Sequence, residues 1–182
     1  MATMNAEPPV LNRKEFYKRT LPAVAALLPA YELETGEMFL SLAMVYDTIS
    51  SHFNKRLGRY GLSFPAFNLM MILHSPSYRD TGCPMSRLGE LLLVSKANVT
   101  GLADSLQRKG LVRRVEAEND RRIKLLQLTP EGTSLSGKLL PAHLAEVVRV
   151  LQGVSRRERA TLRDLLRKLQ ATVDTAIEET HE

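Results

Sequence analysis

At Gly110 the spacing of apolar residues changes period, and that change limits what the chain can fold into. Before the glycine, two segments carry helix signals around a short turn: Ser86 caps a helix through Leu93, and Ser95 caps a helix from Lys96 to Lys109. After it, apolar and polar residues alternate over Val112 to Val115 and again over Ile123 to Leu128, around a polar tip from Glu116 to Arg122. Two helices joined by so tight a turn form a helix-turn-helix, and the alternation predicts a β-hairpin that follows it as a wing. Thr129-Pro130-Glu131-Gly132 ends the hairpin.

The flanks are helical. From Thr35, Met38, Leu42, Val45, Ile49, Phe53 and Leu57 recur every three or four residues until Gly58 and Gly61 interrupt them. Ser63 and Pro65 mark a second helix, which holds Phe67, Leu69, Met70, Ile72 and Leu73 and stops at His74-Ser75-Pro76; residues 77 to 84 read as a loop. Beyond the wing, Leu135, Leu139 and Leu140 open a helix to about Gln152 with a kink expected at Pro141. Ser155 and Glu158 form a capping box for a last helix whose Leu162, Leu166, Leu169, Val173 and Ala176 share one face. The fold class is therefore mainly α with a small β-hairpin wing. A winged helix-turn-helix lobe occupies 63–132, a helical dimerisation region occupies 35–62 and 133–182, and 1–34 form an N-terminal extension. In that extension Phe16, Tyr17, Leu21, Val24, Leu27 and Leu28 supply too little apolar mass to fold alone and suggest an arm packed on the dimer core. The stripes at 38–57 and 162–176 are more apolar than a lone three-helix lobe covers, which predicts a homodimer built from the terminal helices.

Composition, 44% hydrophobic and 25% charged, is that of a globular chain and excludes wholesale disorder. The charge of +5 is concentrated: residues 86–130 carry nine basic and five acidic side chains, whereas the last 28 residues carry six of each. Such a local surplus suits a phosphate backbone, and charge alone fits a solvated basic face equally well. One cysteine, Cys83, excludes an intrachain disulfide and fits a reducing compartment, hence a cytoplasmic protein. No run approaches the roughly 18 to 20 apolar residues of a membrane helix. The segment at 21–30 (LPAVAALLPA) imitates the apolar core of a signal peptide, but Glu7 and Glu15 precede it and Pro22 and Pro29 interrupt it.

Within 85–132 stand Val94-Ser95, Val99-Thr100, Leu102, Leu106, Gly110-Leu111-Val112, Asp120-Arg121-Arg122 and Leu128-Thr129 with Gly132. In this order and spacing they resemble the winged-helix core of the MarR family of bacterial regulators, although Leu93 stands where that family often has a glycine. The resemblance covers about 50 residues clearly and the flanking helices in number and length. It implies a homodimeric, sequence-specific regulator that binds double-stranded DNA, represses palindromic promoter sites by occlusion and is relieved by a small aromatic or anionic effector. The chemistry of the second helix agrees. Lys96, Ala97, Asn98, Thr100 and Gly101 place small and polar groups on its leading turns, where they fit a major groove about 12 Å wide, and Ser95 caps an amide end that faces phosphate. Asn98 has the amide geometry for adenine, and Thr100 can bond phosphate or touch a thymine methyl. The resemblance further implies that Arg122 or Arg121 reaches a minor groove with Asp120 shaping the wing tip. It also implies an effector pocket near Tyr46, His52, Tyr60, Phe67 or Met70.

Enzymatic signals fail on inspection. The run from Gly132 to Lys138 has the spacing of a phosphate-binding loop, but Leu139 replaces the hydroxyl that would hold magnesium. His52, His74, His143 and His181 have no paired metal spacing, and no nucleophile elbow is present, so neither catalysis, cofactor nor metal is expected. Near Cys83 in sequence only Arg79 and Arg87 would lower a thiol pKa, which argues against a redox sensor. The alternative from another class is a helical protein-interaction module of winged-helix shape that does not bind DNA. A steep loss of affinity with salt distinguishes DNA binding from an apolar interaction surface.

Overall fold

The computed structural model describes residues 12–28, 32–92, 94–117 and 122–180. In chain order the elements are α1 (Arg13–Leu27), α2 (Leu33–Leu57), a 3-10 turn (Gly58–Tyr60), α3 (Phe64–His74), β1 (Cys83–Pro84) and α4 (Met85–Leu92). They continue with α5 (Lys96–Arg108), β2 (Val112–Glu116), β3 (Lys124–Leu128), α6 (Pro130–Val150) and α7 (Arg156–Thr180). The chain divides into two compact units, 1–67 and 68–182, and α3 runs through the division.

In the first unit, Asn12 caps α1 by accepting a hydrogen bond from the Glu15 amide at 3.0 Å. The helix continues through Pro22, so the apolar run expected to be broken there is helical as far as Leu27. An Arg13–Asp47 ion pair at 2.6 Å joins α1 to α2, and Tyr17, Leu21, Glu32, Thr35, Phe39 and Leu40 line a depression of about 520 Å³ between these helices. Both partners of that pair are half-exposed, so its contribution is at most about 1 kcal/mol. At the far end of α2, Asn54 Oδ1 accepts from the Phe64 amide at 2.7 Å and the rings of Phe53 and Phe64 stack at 5.2 Å, which fixes how α3 leaves the turn. Ser63 caps α3 as its position predicts, accepting from the Ala66 amide at 3.3 Å. Phe53, Leu57, Leu62, Ala66 and Phe67 are buried, whereas Met38, Phe39, Val45 and Tyr46 on α2 are exposed.

The second unit is organised around a sheet that is larger than expected. β2 and β3 pair antiparallel from Val112↔Leu128 to Glu116↔Lys124, which is the predicted hairpin. A third strand, β1, adds Cys83↔Leu126 and Pro84↔Leu125 on the other side of β3, so the order is β1-β3-β2. The segment read as loop thus ends in a strand. α4 follows β1 without a gap and begins at Met85, one residue before the Ser86 expected as its cap. Leu69, Met70 and Leu73 of α3, Leu88 of α4, Val99, Ala103 and Leu106 of α5, and Leu126 of β3 are fully buried and form the core. Cys83 is buried among them; burial pushes its thiol up from the ordinary value against the lowering effect of a hydrogen bond with Tyr78.

Gly110 has φ of 69°, a left-handed conformation that ends α5 and turns the chain into β2. Thr129 then ties both ends of the lobe together. Its amide donates to the Leu111 carbonyl at 3.1 Å, its hydroxyl donates to the Gly110 carbonyl at 2.6 Å, and its Oγ1 accepts from the Gly132 amide at 3.0 Å as the N-cap of α6. The capping box at α7 forms as predicted: Glu158 accepts from the Ser155 amide at 2.8 Å and Ser155 Oγ accepts from the Glu158 amide at 3.3 Å. On α7, Leu162, Leu165, Leu166, Val173 and Ile177 remain 41% to 58% exposed.

Candidate nucleic-acid interface

α5 is positioned by its buried stripe. Val99, Ala103 and Leu106 recur at four and three residues and are fully buried, so at 100° per residue the opposite side of the helix carries Ala97, Gly101 and Arg108. Asn98 and Thr100 flank that side, and all five are exposed. Ser95, also exposed, stands at the N-cap with φ of −62° and ψ of 155°, and its Oγ accepts from the Asn98 amide at 3.3 Å. Lys96 is the first residue of the helix. Ala97, Asn98, Thr100 and Gly101 are therefore gathered on the outward side of the leading turns of one capped helix. Free amides at such an end attract anions.

Gly101 sharpens the reading. A Cβ built there meets nothing within 4 Å, so no packing inside the chain calls for a glycine. In a helix interior that glycine costs up to about 1 kcal/mol relative to alanine. On the face opposite the core, a residue without a side chain leaves the helix backbone accessible from outside the chain.

The wing is pinned to this helix. The Arg114 guanidinium donates from Nη2 to Asp104 Oδ1 at 2.6 Å and from Nη1 to Gln107 Oε1 at 2.8 Å. Along the same hairpin, Arg113 reaches Gln127 at 3.0 Å on the base side of Arg114, and Lys124 pairs with Glu116 at 2.6 Å on its outer side. Arg122 and Ile123 are exposed near the tip, and Asp120 and Arg121 lie outside the described residues, as does Leu93. The sequence offered no signal for the Asp104–Gln107–Arg114 group, because nothing in their spacing links a helix to a strand.

The residues expected around an effector are placed as follows: Tyr46 and Tyr60 are exposed, His52 is half-buried with its ring edge-on to Phe53 at 5.4 Å, and Phe67 and Met70 are fully buried. The stretch from Gly132 to Lys138 lies within α6, so its amides serve the helix and form no phosphate cradle. Among the described residues no group of three His, Cys, Asp or Glu is arranged to hold a metal ion, and no helix is long and apolar enough to cross a membrane.

Comparison with known proteins agrees with this geometry. A sequence profile of the MarR family matches residues 60–123. The HTH-type transcriptional repressor YetL of Bacillus subtilis is 30% identical over 142 residues, which cover 76% of this chain and 84% of YetL. The chain also resembles the crystal structure of the transcriptional regulator BldR from Sulfolobus solfataricus, with a TM-score of 0.63 and 25% identity over 78% of this chain and 96% of BldR. Its fold is shared with Streptococcus pneumoniae FabT, solved in complex with DNA, at a TM-score of 0.63 and 22% identity over 78% of this chain and 99% of FabT.

Proposed function

This chain belongs to the MarR family of transcriptional regulators, and from that premise we propose that it is a homodimeric repressor that binds palindromic promoter DNA through α5 and the wing. The observation that carries the reading is the outward face of α5: a capped helix end, Asn98 and Thr100 on either side of Ala97 and Gly101, and a glycine with no internal reason to be there. Residues 63–132 read the DNA, while 35–62 and 133–182 form the dimer. A two-fold pair of such lobes meets successive major grooves about one helical turn apart. The exposed apolar row on α7 supports the dimer, and YetL, named a repressor, supports the sign of regulation. Occlusion of the promoter by the bound dimer is the mechanism, in the cytoplasm, with relief by a small aromatic or anionic effector as part of the same proposal.

The two contacting elements fail differently when altered, and this tests the reading. Asn98→Ala removes a base contact, so it is expected to cost about 1 to 3 kcal/mol on a duplex selected by the wild-type protein and little on random DNA. Arg122→Ala removes a charge from the wing, so it weakens both and flattens the slope of log affinity against log salt by about one. Equal losses from both variants on selected and random DNA would overturn the division of labour. A wild-type protein that selects no duplex, and whose interactions are insensitive to salt, would instead be an interaction module.

A further inference from the structure

A helix and a wing that grip one duplex must keep a fixed offset, since each is held to a different groove. At the base of the lobe, packing supplies it: Val112, the first residue of β2, is buried where that strand meets α5. Farther out, packing gives way. Asp104, Gln107, Arg108 and Arg114 line an open depression of about 430 Å³ between helix and strand.

The Arg114 side chain crosses that depression. Its fork is shared between Asp104 at 2.6 Å and Gln107 at 2.8 Å, two acceptors three residues apart and hence on the same face of α5. Two bonds from one planar group fix direction as well as distance. Arg114 pairs with Leu126 two positions below the Glu116–Lys124 bridge, so the ladder is itself stiffened as far as that bridge. At about 3.3 Å per residue, the strand beyond Arg114 is a lever several ångströms long.

We propose that Arg114, held by Asp104 and Gln107, is a positioning residue that sets the offset between α5 and the wing, and so brings Arg122 to the DNA at the place α5 dictates. The proposal rests on the reading of α5 and the wing as the DNA-contacting pair. In this role Arg114 is not a phosphate ligand: its charge is offset by the Asp104 carboxylate, and one N–H on each terminal nitrogen is directed at the helix.

Asp104→Asn separates the two roles by sign. The variant removes a negative charge from a DNA-binding lobe, so electrostatics alone give tighter binding and a steeper salt slope. A loosened clamp gives weaker binding, by roughly fivefold, the scale of a half-exposed charged hydrogen bond. The probe is a labelled duplex selected from a random library by the wild-type protein, read by fluorescence anisotropy, with thermal melting as the control for folding. In combination with Arg122→Ala, Asp104→Asn should add little to the loss from Arg122→Ala alone, because the group being positioned is already gone. Arg114→Lys keeps the charge but not the fork, so it shifts affinity in the same direction by less, and it carries the same cycle if Asp104→Asn does not fold. Unchanged or tighter binding by Asp104→Asn, or losses that add fully with Arg122→Ala, would overturn the clamp while leaving the DNA reading intact. Failure of the wild-type protein to select any duplex would remove that reading and the clamp with it.

Discussion

Gly132→Ala tests whether the start of α6 is fixed by its contact with the turn after α5. A Cβ at this position falls 2.0 Å from the Leu111 carbonyl oxygen, 3.0 Å from the Leu111 carbonyl carbon and 3.2 Å from Leu128 Cδ2. Restoring ordinary contact requires backbone to move by more than about 1 Å, since neither close atom belongs to a flexible side chain. That movement strains the Thr129 bonds to Leu111 and Gly110. Overpacking costs about 1 to 3 kcal/mol and each weakened bond up to about 1, against a gain of at most about 1 from replacing glycine in a helix. The net is a destabilisation of about 2 to 3 kcal/mol, which lowers the melting temperature by about 5 to 10 °C in a chain of this length. The internal control is Gly137→Ala on the same helix, where a Cβ meets nothing within 4 Å and a small rise is expected. Melting followed by circular dichroism at one fixed protein concentration compares the two, since the midpoint of any associating protein depends on concentration. A Gly132→Ala protein that melts at or above the wild-type temperature would refute the close-approach argument.

Gly101→Ala is expected to raise the melting temperature, because a helix interior prefers alanine by up to about 1 kcal/mol, and at the same time to weaken binding to the selected duplex; gain of stability without loss of affinity would mean that this face docks nothing. Removal of 155–182 deletes α7 and so exposes the surface it covers in the proposed dimer, giving aggregated or unfolded protein in sedimentation; a folded monomer that still binds DNA tightly would refute the terminal-helix dimer. Deletion of 1–34 removes α1 with its Arg13–Asp47 pair and its contacts to α2, so thermal stability should fall more than DNA affinity, and an unchanged melting temperature would show the arm to be dispensable to the fold.

What could be read in the sequence was set by neighbours in the chain. The caps at Ser63, Ser95 and Ser155 each join a side chain to an amide three residues on, so the signal and the bond lie within one turn. The buried stripe of α5 and the alternation of β2 and β3 are likewise local periods, and the stripe of α5 turns Ala97 and Gly101 outward with Asn98 and Thr100 on either side. β1 was hidden for a physical reason: two residues display no period, and one is a proline, which a strand tolerates only where its missing donor is not needed, as at this edge of the sheet. With β1 unseen, Ser86 looked like the natural start of α4, whereas the strand leads straight into Met85.

The features that set the lobe's internal geometry belong to the other class. Gly132 reads as the close of a hairpin, yet what forbids a side chain there is a carbonyl at Leu111, twenty-one residues earlier. Asp104 and Gln107 look like ordinary polar positions on a helix until β2 swings Arg114 across to meet them. Both depend on where the chain returns after Gly110 rather than on any residue beside them. It follows that substitutions on the outward face of α5 should change which DNA is bound, while substitutions at Gly132, Asp104 or Arg114 should change whether the same surface is held in a shape able to bind it. The first group is testable by selecting new duplexes with the variant; for the second, reselection should return the wild-type sequence at reduced affinity, and a changed sequence preference from Asp104→Asn would place that residue in direct contact with bases.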